Sequence, residues 1–179
     1  MFLFNIRSNE MSKKLPLIVG IWFYIGWFSS VLLGQKGLDL YSLFFPLISW
    51  ILIFQIYKPL KSLLLLFGAL CFVGLGFDLL MGQTDYAQIV TNWGHFPIWL
   101  LSIWLLFVSI LPLLENLFKG RLFIAGLLGA ILGPFNYITG EYWEVFYLYG
   151  SLPIIFYALF WALYFPLSLK IISNFLHTR

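Results

Sequence analysis

The sequence predicts an all-α fold, an integral membrane bundle of six transmembrane helices, and three observations predict it. The first is composition. Of 179 residues, 62% are hydrophobic and 9% charged, where a soluble globular domain carries about 25% charged residues. Such a chain cannot cover itself with a polar surface. The second is segmentation into apolar runs of about 20 residues, the length that crosses a hydrocarbon core about 30 Å thick. The third is where the few charges fall. With the N-terminus inside, Arg7, Lys13, Lys14, Lys58, Lys61, Lys119, Arg121, Lys170 and Arg179 lie on the inner side, and only Lys36 lies outside. That bias follows the positive-inside rule and predicts both termini cytoplasmic.

In chain order, residues 1–14 form a short basic head in which Met11 offers a second start. The first run, 15–34, is too long and too aromatic for a cleavable signal, whose apolar core has about 7–15 residues. A retained helix is expected. The second run, 38–57, follows a QKGLD turn and stops at Lys58, where Pro59 disfavours helix. The third, 62–81, ends at Gly82 before the longest polar interruption, GQTDYAQIVTNWGHF. The fourth, 97–114, opens with Pro97 at a favoured first helical position. The fifth runs from 122 to about 139, and the sixth covers 151–172, leaving 173–179 as a cytoplasmic tail. Short connections make 15–172 one six-helix domain.

The fifth run reads as the helix on which the others pack. Ala125 or Gly126, Gly129, Gly133 and Gly140 recur at helical spacing, and Gly129-xxx-Gly133 is a small-xxx-small step that lets backbones approach. Pro134 cannot donate to the carbonyl of Ala130, so a bend is expected there. Asn136 and Tyr137 lie one turn on, where they could serve the freed carbonyl.

Asp78 is the one acidic residue well inside an apolar run. It sits ~22 Å along the third helix at 1.5 Å per residue, at about the height of Asn136 on the fifth. Gly74, one turn earlier on the same face, admits a neighbouring helix or a ligand. With His95, Trp99, Tyr137 and Glu141, these residues suggest a polar pocket opening outward. A charge at a helix centre costs about 2.5–3.5 kcal/mol on insertion scales, so something must compensate it. Asp78 is then a structural acceptor for Asn136, Tyr137 or loop backbone, or else an acid, base or ligand. His95 reads as a pocket residue or an interfacial cap. Glu141 and Glu144 read as cation ligands or a solvated acidic edge. Trp93, Trp99, Tyr142, Trp143, Tyr147 and Tyr149 form an aromatic belt, and Trp104 and Phe107 read as packing residues.

Several chemistries have no motif here. There is no G-x-S-x-G elbow, H-E-x-x-H, phosphate-binding glycine loop or C-x-x-C. No metal or cofactor is expected, and no basic run suits a nucleic acid. The single Cys71 excludes an internal disulfide. A proton-coupled transporter would want a second buried ionisable group, and none is evident.

Three segments, GLGFDLLMGQTDY, FPIWLLSIWLLFVSIL and GRLFIAGLLGAILGPFNYITGE, together resemble an uncharacterised family of small bacterial multi-span inner-membrane proteins, a domain of unknown function. The shared features are Asp78, the Pro97/Trp99/Trp104 pattern and a GA-x-x-GP-x-x-Y-x-x-G signature from Gly129 to Gly140. The resemblance implies an inner-membrane protein associated with lipid-modifying enzymes. A weaker likeness, to lysoplasmalogenase-type membrane hydrolases, rests on the Asp78-Leu79-Leu80 step. The expectation that follows is an accessory or binding component of membrane lipid metabolism, with membrane lipids as partners. Its alternative is an intramembrane hydrolase-like enzyme using Asp78 as general acid or base.

Overall fold

The computed structural model describes residues 2–57, 61–91 and 96–177. It contains α1 (Phe2–Gln35), a 3-10 turn (Asp39–Leu43), α2 (Phe44–Tyr57), α3 (Lys61–Met81), β1 (Ala87–Ile89), α4 (Ile98–Phe118), α5 (Leu122–Tyr142), β2 (Phe146–Leu148) and α6 (Leu152–His177). Among the described residues five helices are long and apolar enough to cross a membrane: 17–35 of α1, then α3, α4, α5 and α6. The segment Asp39–Gln55 is a shorter apolar helix. The chain is therefore a multi-pass, all-α membrane protein. Pro97 precedes the first turn of α4 rather than opening it, and α1 continues from the basic head into the apolar run without a break.

The centre of the bundle is α4, not the glycine-rich α5. Within the protein 67% of the α4 span is buried, against 28% of α5. α4 packs against α1, α2, α3 and α6, whereas α5 lies chiefly on α6. The reason is side-chain size. α4 carries Trp99, Trp104, Leu106, Phe107, Val108 and Leu111, which reach neighbours on every side and are all buried. The small stripe of α5 serves one close partner: a Cβ on Gly129 would overlap the carbonyl of Trp161, and one on Gly133 would overlap the Trp161 ring. Small-xxx-small spacing marks a tight helix pair, and that is a different property from centrality.

The polar interruption and the segment after α5 form a two-stranded antiparallel sheet, pairing Ala87 with Leu148 and Ile89 with Phe146. Ala87, Val145 and Phe146 are buried beneath it. This sheet lies over one end of the bundle, the end that holds the start of α4 and the close of α5.

Candidate functional site

Asp78 is fully buried near the C-terminal end of α3. Its two carboxylate oxygens accept separate hydrogen bonds, Oδ2 from the Trp104 indole N–H at 2.7 Å and Oδ1 from the Tyr137 hydroxyl at 2.7 Å. Trp161 Nε1 donates in turn to the Tyr137 oxygen at 3.3 Å. One carboxylate thus ties α3 to α4 and α5, and through Tyr137 to α6. Hydrogen bonds to a charged group contribute about 1.5–3 kcal/mol each, which is what a carboxylate buried at this depth requires.

Aromatic stacking fixes the donors. Trp104 stacks on Trp161 with ring centroids 5.2 Å apart and nearly parallel planes, and Tyr137 stacks on Tyr157 at 3.6 Å. Gly74 makes room: a Cβ there would overlap the six-membered ring of Trp104. Sequence placed a neighbour on Gly74 without saying which, and read Trp104 as packing. Its role as a donor was invisible, because an indole N–H within an apolar run looks the same whether or not an acceptor faces it.

Beside this cluster lies a cavity of about 40 Å³, lined by Asp78, Asn136, Tyr137, Trp99, Trp27 and Phe146 among others. Water occupies about 10–15 Å³ on this measure, so the cavity has room for a small polar group and no more. Trp99 is 3% exposed and donates to the carbonyl of Val90 at 3.0 Å, so it belongs to the core rather than to a surface belt. Tyr142, Tyr147 and Tyr149 are exposed, as belt residues would be. Trp143 is half-buried and meets Phe28 edge-on. Phe146 sits over Tyr137, with centroids 5.2 Å apart, so the expected polar pocket is largely aromatic-walled.

The remaining predicted residues fall as follows. Asn136 lines the cavity, but among the described residues its amide bonds neither Asp78 nor the backbone. The freed-carbonyl role expected of Tyr137 is not the one it fills, since its hydroxyl goes to Asp78. Glu141 is half-buried and accepts the backbone N–H of Leu148 at 3.1 Å, which ties α5 to β2. Glu144 is exposed with φ +58°. His95 and Trp93 lie outside the described residues. Gly129 and Gly133 are buried against Trp161 of α6, Pro134 is buried as well, and Gly140 packs beside Phe146. The helix runs through Pro134 without interruption.

Two further acids are buried, contrary to the expectation of a single one. Asp39 is 1% exposed, and neither carboxylate oxygen has a hydrogen-bond partner among the described residues. Nearby, Ser42 bonds the Asp39 carbonyl and shares a 2.6 Å contact with Ser102 of α4. Glu115, near the C-terminal end of α4, is 4% exposed and accepts from Ser173 at 2.7 Å, with His177 Nε2 at 3.3 Å. Both acids sit at the ends of apolar runs, Asp39 second in its run and Glu115 just past its own, where sequence alone reads them as solvated. Among the described residues no three His, Cys, Asp or Glu side chains gather as a metal site would need.

A helical, multi-pass membrane protein with a buried carboxylate held by indole and phenol donors is the class that the fold and the site define. The chain belongs to the family described as protein of unknown function DUF2878, which it matches over residues 16–167. No curated protein and no solved structure matches it. The lysoplasmalogenase likeness accordingly has no support, and the Asp78-Leu79-Leu80 step that suggested it is a short apolar run that many membrane helices could carry.

Proposed function

We propose that this protein binds a bilayer lipid at the Asp78 cavity and serves as an accessory or binding component of membrane lipid metabolism. Its setting is a bacterial inner membrane, with lipid-modifying enzymes as partners. Six spans with both termini inside suit this reading. The Asp39–Tyr57 stretch is ~31 Å long, at ~2.0 Å per 3-10 residue and ~1.5 Å per α residue, against a core of about 30 Å. Its start meets Ser102 of α4 through Ser42, and its middle meets the Leu105 carbonyl through the Trp50 indole N–H, contacts that support its reading as a sixth span beside α4. The nine-to-one distribution of basic residues supports that direction.

The single observation that carries the lipid reading is Asp78 itself: a buried carboxylate that lines a cavity, each oxygen holding one hydrogen bond where it can accept about two. Such a site takes a donor, an ammonium or hydroxyl group, and the Trp27, Trp99 and Tyr137 walls favour a cation. A fatty-acyl carboxylate would face like charge. The test compares Asp78→Asn, wild type and a deletion strain for protein in the membrane and for total lipids by mass spectrometry. Normal accumulation with a deletion-like lipid profile supports binding or chemistry at Asp78. Loss of the protein makes Asp78 a structural tie. Unchanged lipids in the variant and the deletion alike overturn the lipid reading.

A second reading, an intramembrane hydrolase-like enzyme with Asp78 as general acid or base, is favoured by the 2.7 Å Tyr137 contact, which is within proton-transfer reach. Turnover of a candidate lipid by purified protein, lost in Tyr137→Phe, would select it.

A further inference from the structure

We infer that the lipid reaches the Asp78 cavity sideways from the bilayer, its acyl chain lying in the groove between α1 and α5 and its donor group passing Asn136. This rests on the lipid-binding reading of that cavity. α1 packs on α4 and on the 3-10 turn rather than on α5, so a cleft remains between them. A groove of about 740 Å³ is lined by Gly20, Ile21, Tyr24, Ile25, Phe135 and Asn136, among others. A second space of about 210 Å³ continues toward α4, past Phe107, Leu132 and Gly133. Clefts of about 300–1,000 Å³ are the size that takes a drug-sized apolar ligand.

Three features make this groove more than a lipid-facing surface. Asn136 lines all three spaces, the groove, the inner extension and the Asp78 cavity, so they meet at one side chain. Its amide has no partner among the described residues, whereas Thr139, also in the groove, spends its hydroxyl on the Phe135 carbonyl at 2.8 Å. At the end nearer the sheet, the Phe28–Trp143 pair, 5.2 Å apart, bridges α1 to the close of α5. Together with Phe146 over Tyr137, this leaves the flank rather than the sheet-covered end as the open side. The occupant is an acyl chain because the walls are apolar and belong to membrane-spanning segments, where acyl chains are the surrounding solvent. The cavity at its end admits only a small polar group, so the rest of the lipid must lie outside it.

Gly20 provides the test, since a Cβ there meets nothing within 4 Å, and a large side chain can fill the groove without disturbing the bundle. Wild type, Gly20→Phe, Asn136→Leu and Asp78→Asn are reconstituted in phosphatidylethanolamine vesicles containing a phospholipid with a diazirine at its acyl terminus. Cross-linked peptides are then mapped by mass spectrometry. Labelling concentrated on Ile21, Tyr24 and Phe135, reduced about tenfold by Gly20→Phe, supports the groove. Labelling spread evenly over exposed positions such as Phe72 and Phe123, or unchanged in Gly20→Phe, overturns it. Groove labelling that survives in an accumulating Asp78→Asn keeps the lateral route and sinks the Asp78 headgroup reading. Loss of bound headgroup in Asp78→Asn with labelling unaffected by Gly20→Phe does the reverse.

Discussion

Asp78 and Asp39 are both buried to within 1% exposure, and the protein treats them in opposite ways. Asp78 has two indole and phenol donors fixed by stacking, and four helices converge on it. Asp39 has none among the described residues, although Ser42 and Ser102 lie close by and spend their hydroxyls on backbone and on each other. A buried carboxylate is costly unless it is paired or hydrogen-bonded. One acid therefore organises its surroundings, and the other is tolerated by them. What separates the two is the neighbouring helix: α4 presents the Trp104 N–H to Asp78 across Gly74, whereas its Ser102 hydroxyl meets Ser42 rather than Asp39.

The sharpest way to break this contrast is Asp78→Leu, which strands the Trp104 N–H and Tyr137 hydroxyl in the core. The expected loss is about 2–5 kcal/mol, combining two unsatisfied donors with lost ties, read as a fall in thermal midpoint of the detergent-purified protein. An unchanged midpoint would show that the network is dispensable. Gly74→Ala comes next, at about 1–3 kcal/mol, because the added methyl displaces the Trp104 ring. That cost should shrink in a Trp104→Phe background, and the double-mutant cycle measures the coupling directly. Asp39→Asn is expected to carry the opposite sign, a gain of about 1 kcal/mol from removing a buried carboxylate that has no hydrogen-bond partner among the described residues. Destabilisation there on the scale of Asp78 would erase the distinction between the two acids. The smallest effect, about 0.5 kcal/mol or less, belongs to Glu115→Gln, whose amide oxygen can still accept from Ser173 while contact with the half-exposed His177 weakens.

Much of the site was legible because its residue types are anomalous where they stand. Asp78 stood out as an acid in an apolar run, and Tyr137 and Gly74 followed from its height and helical face. Trp104 did not, since a tryptophan in a membrane helix is ordinary and only its orientation makes it a donor. Asp39 and Glu115 were missed because residues at the ends of apolar runs look solvated until the neighbouring elements close over them. Asn136 was matched to Asp78 by depth, and depth does not say which way a side chain turns: it lines the cavity without bonding the acid. The three-residue strands carry no pattern long enough to detect, and their pairing joins segments about 60 residues apart.

By itself the sequence determined that this chain lies in a membrane, roughly where its apolar helices run, and that α5 carries a stripe of small residues that admits close packing. These follow from local quantities: apolar content, run length, proline position and small-residue spacing. Only the tertiary structure decided that α4 holds the centre, that Asp78 has hydrogen-bond donors where Asp39 has none among the described residues, and that a groove beside Asn136 meets the buried carboxylate. Those depend on which faces meet, and in a chain this uniformly apolar nearly every face is chemically free to meet another. Side-chain size and the few polar groups choose among the arrangements, and they act only once the helices are packed.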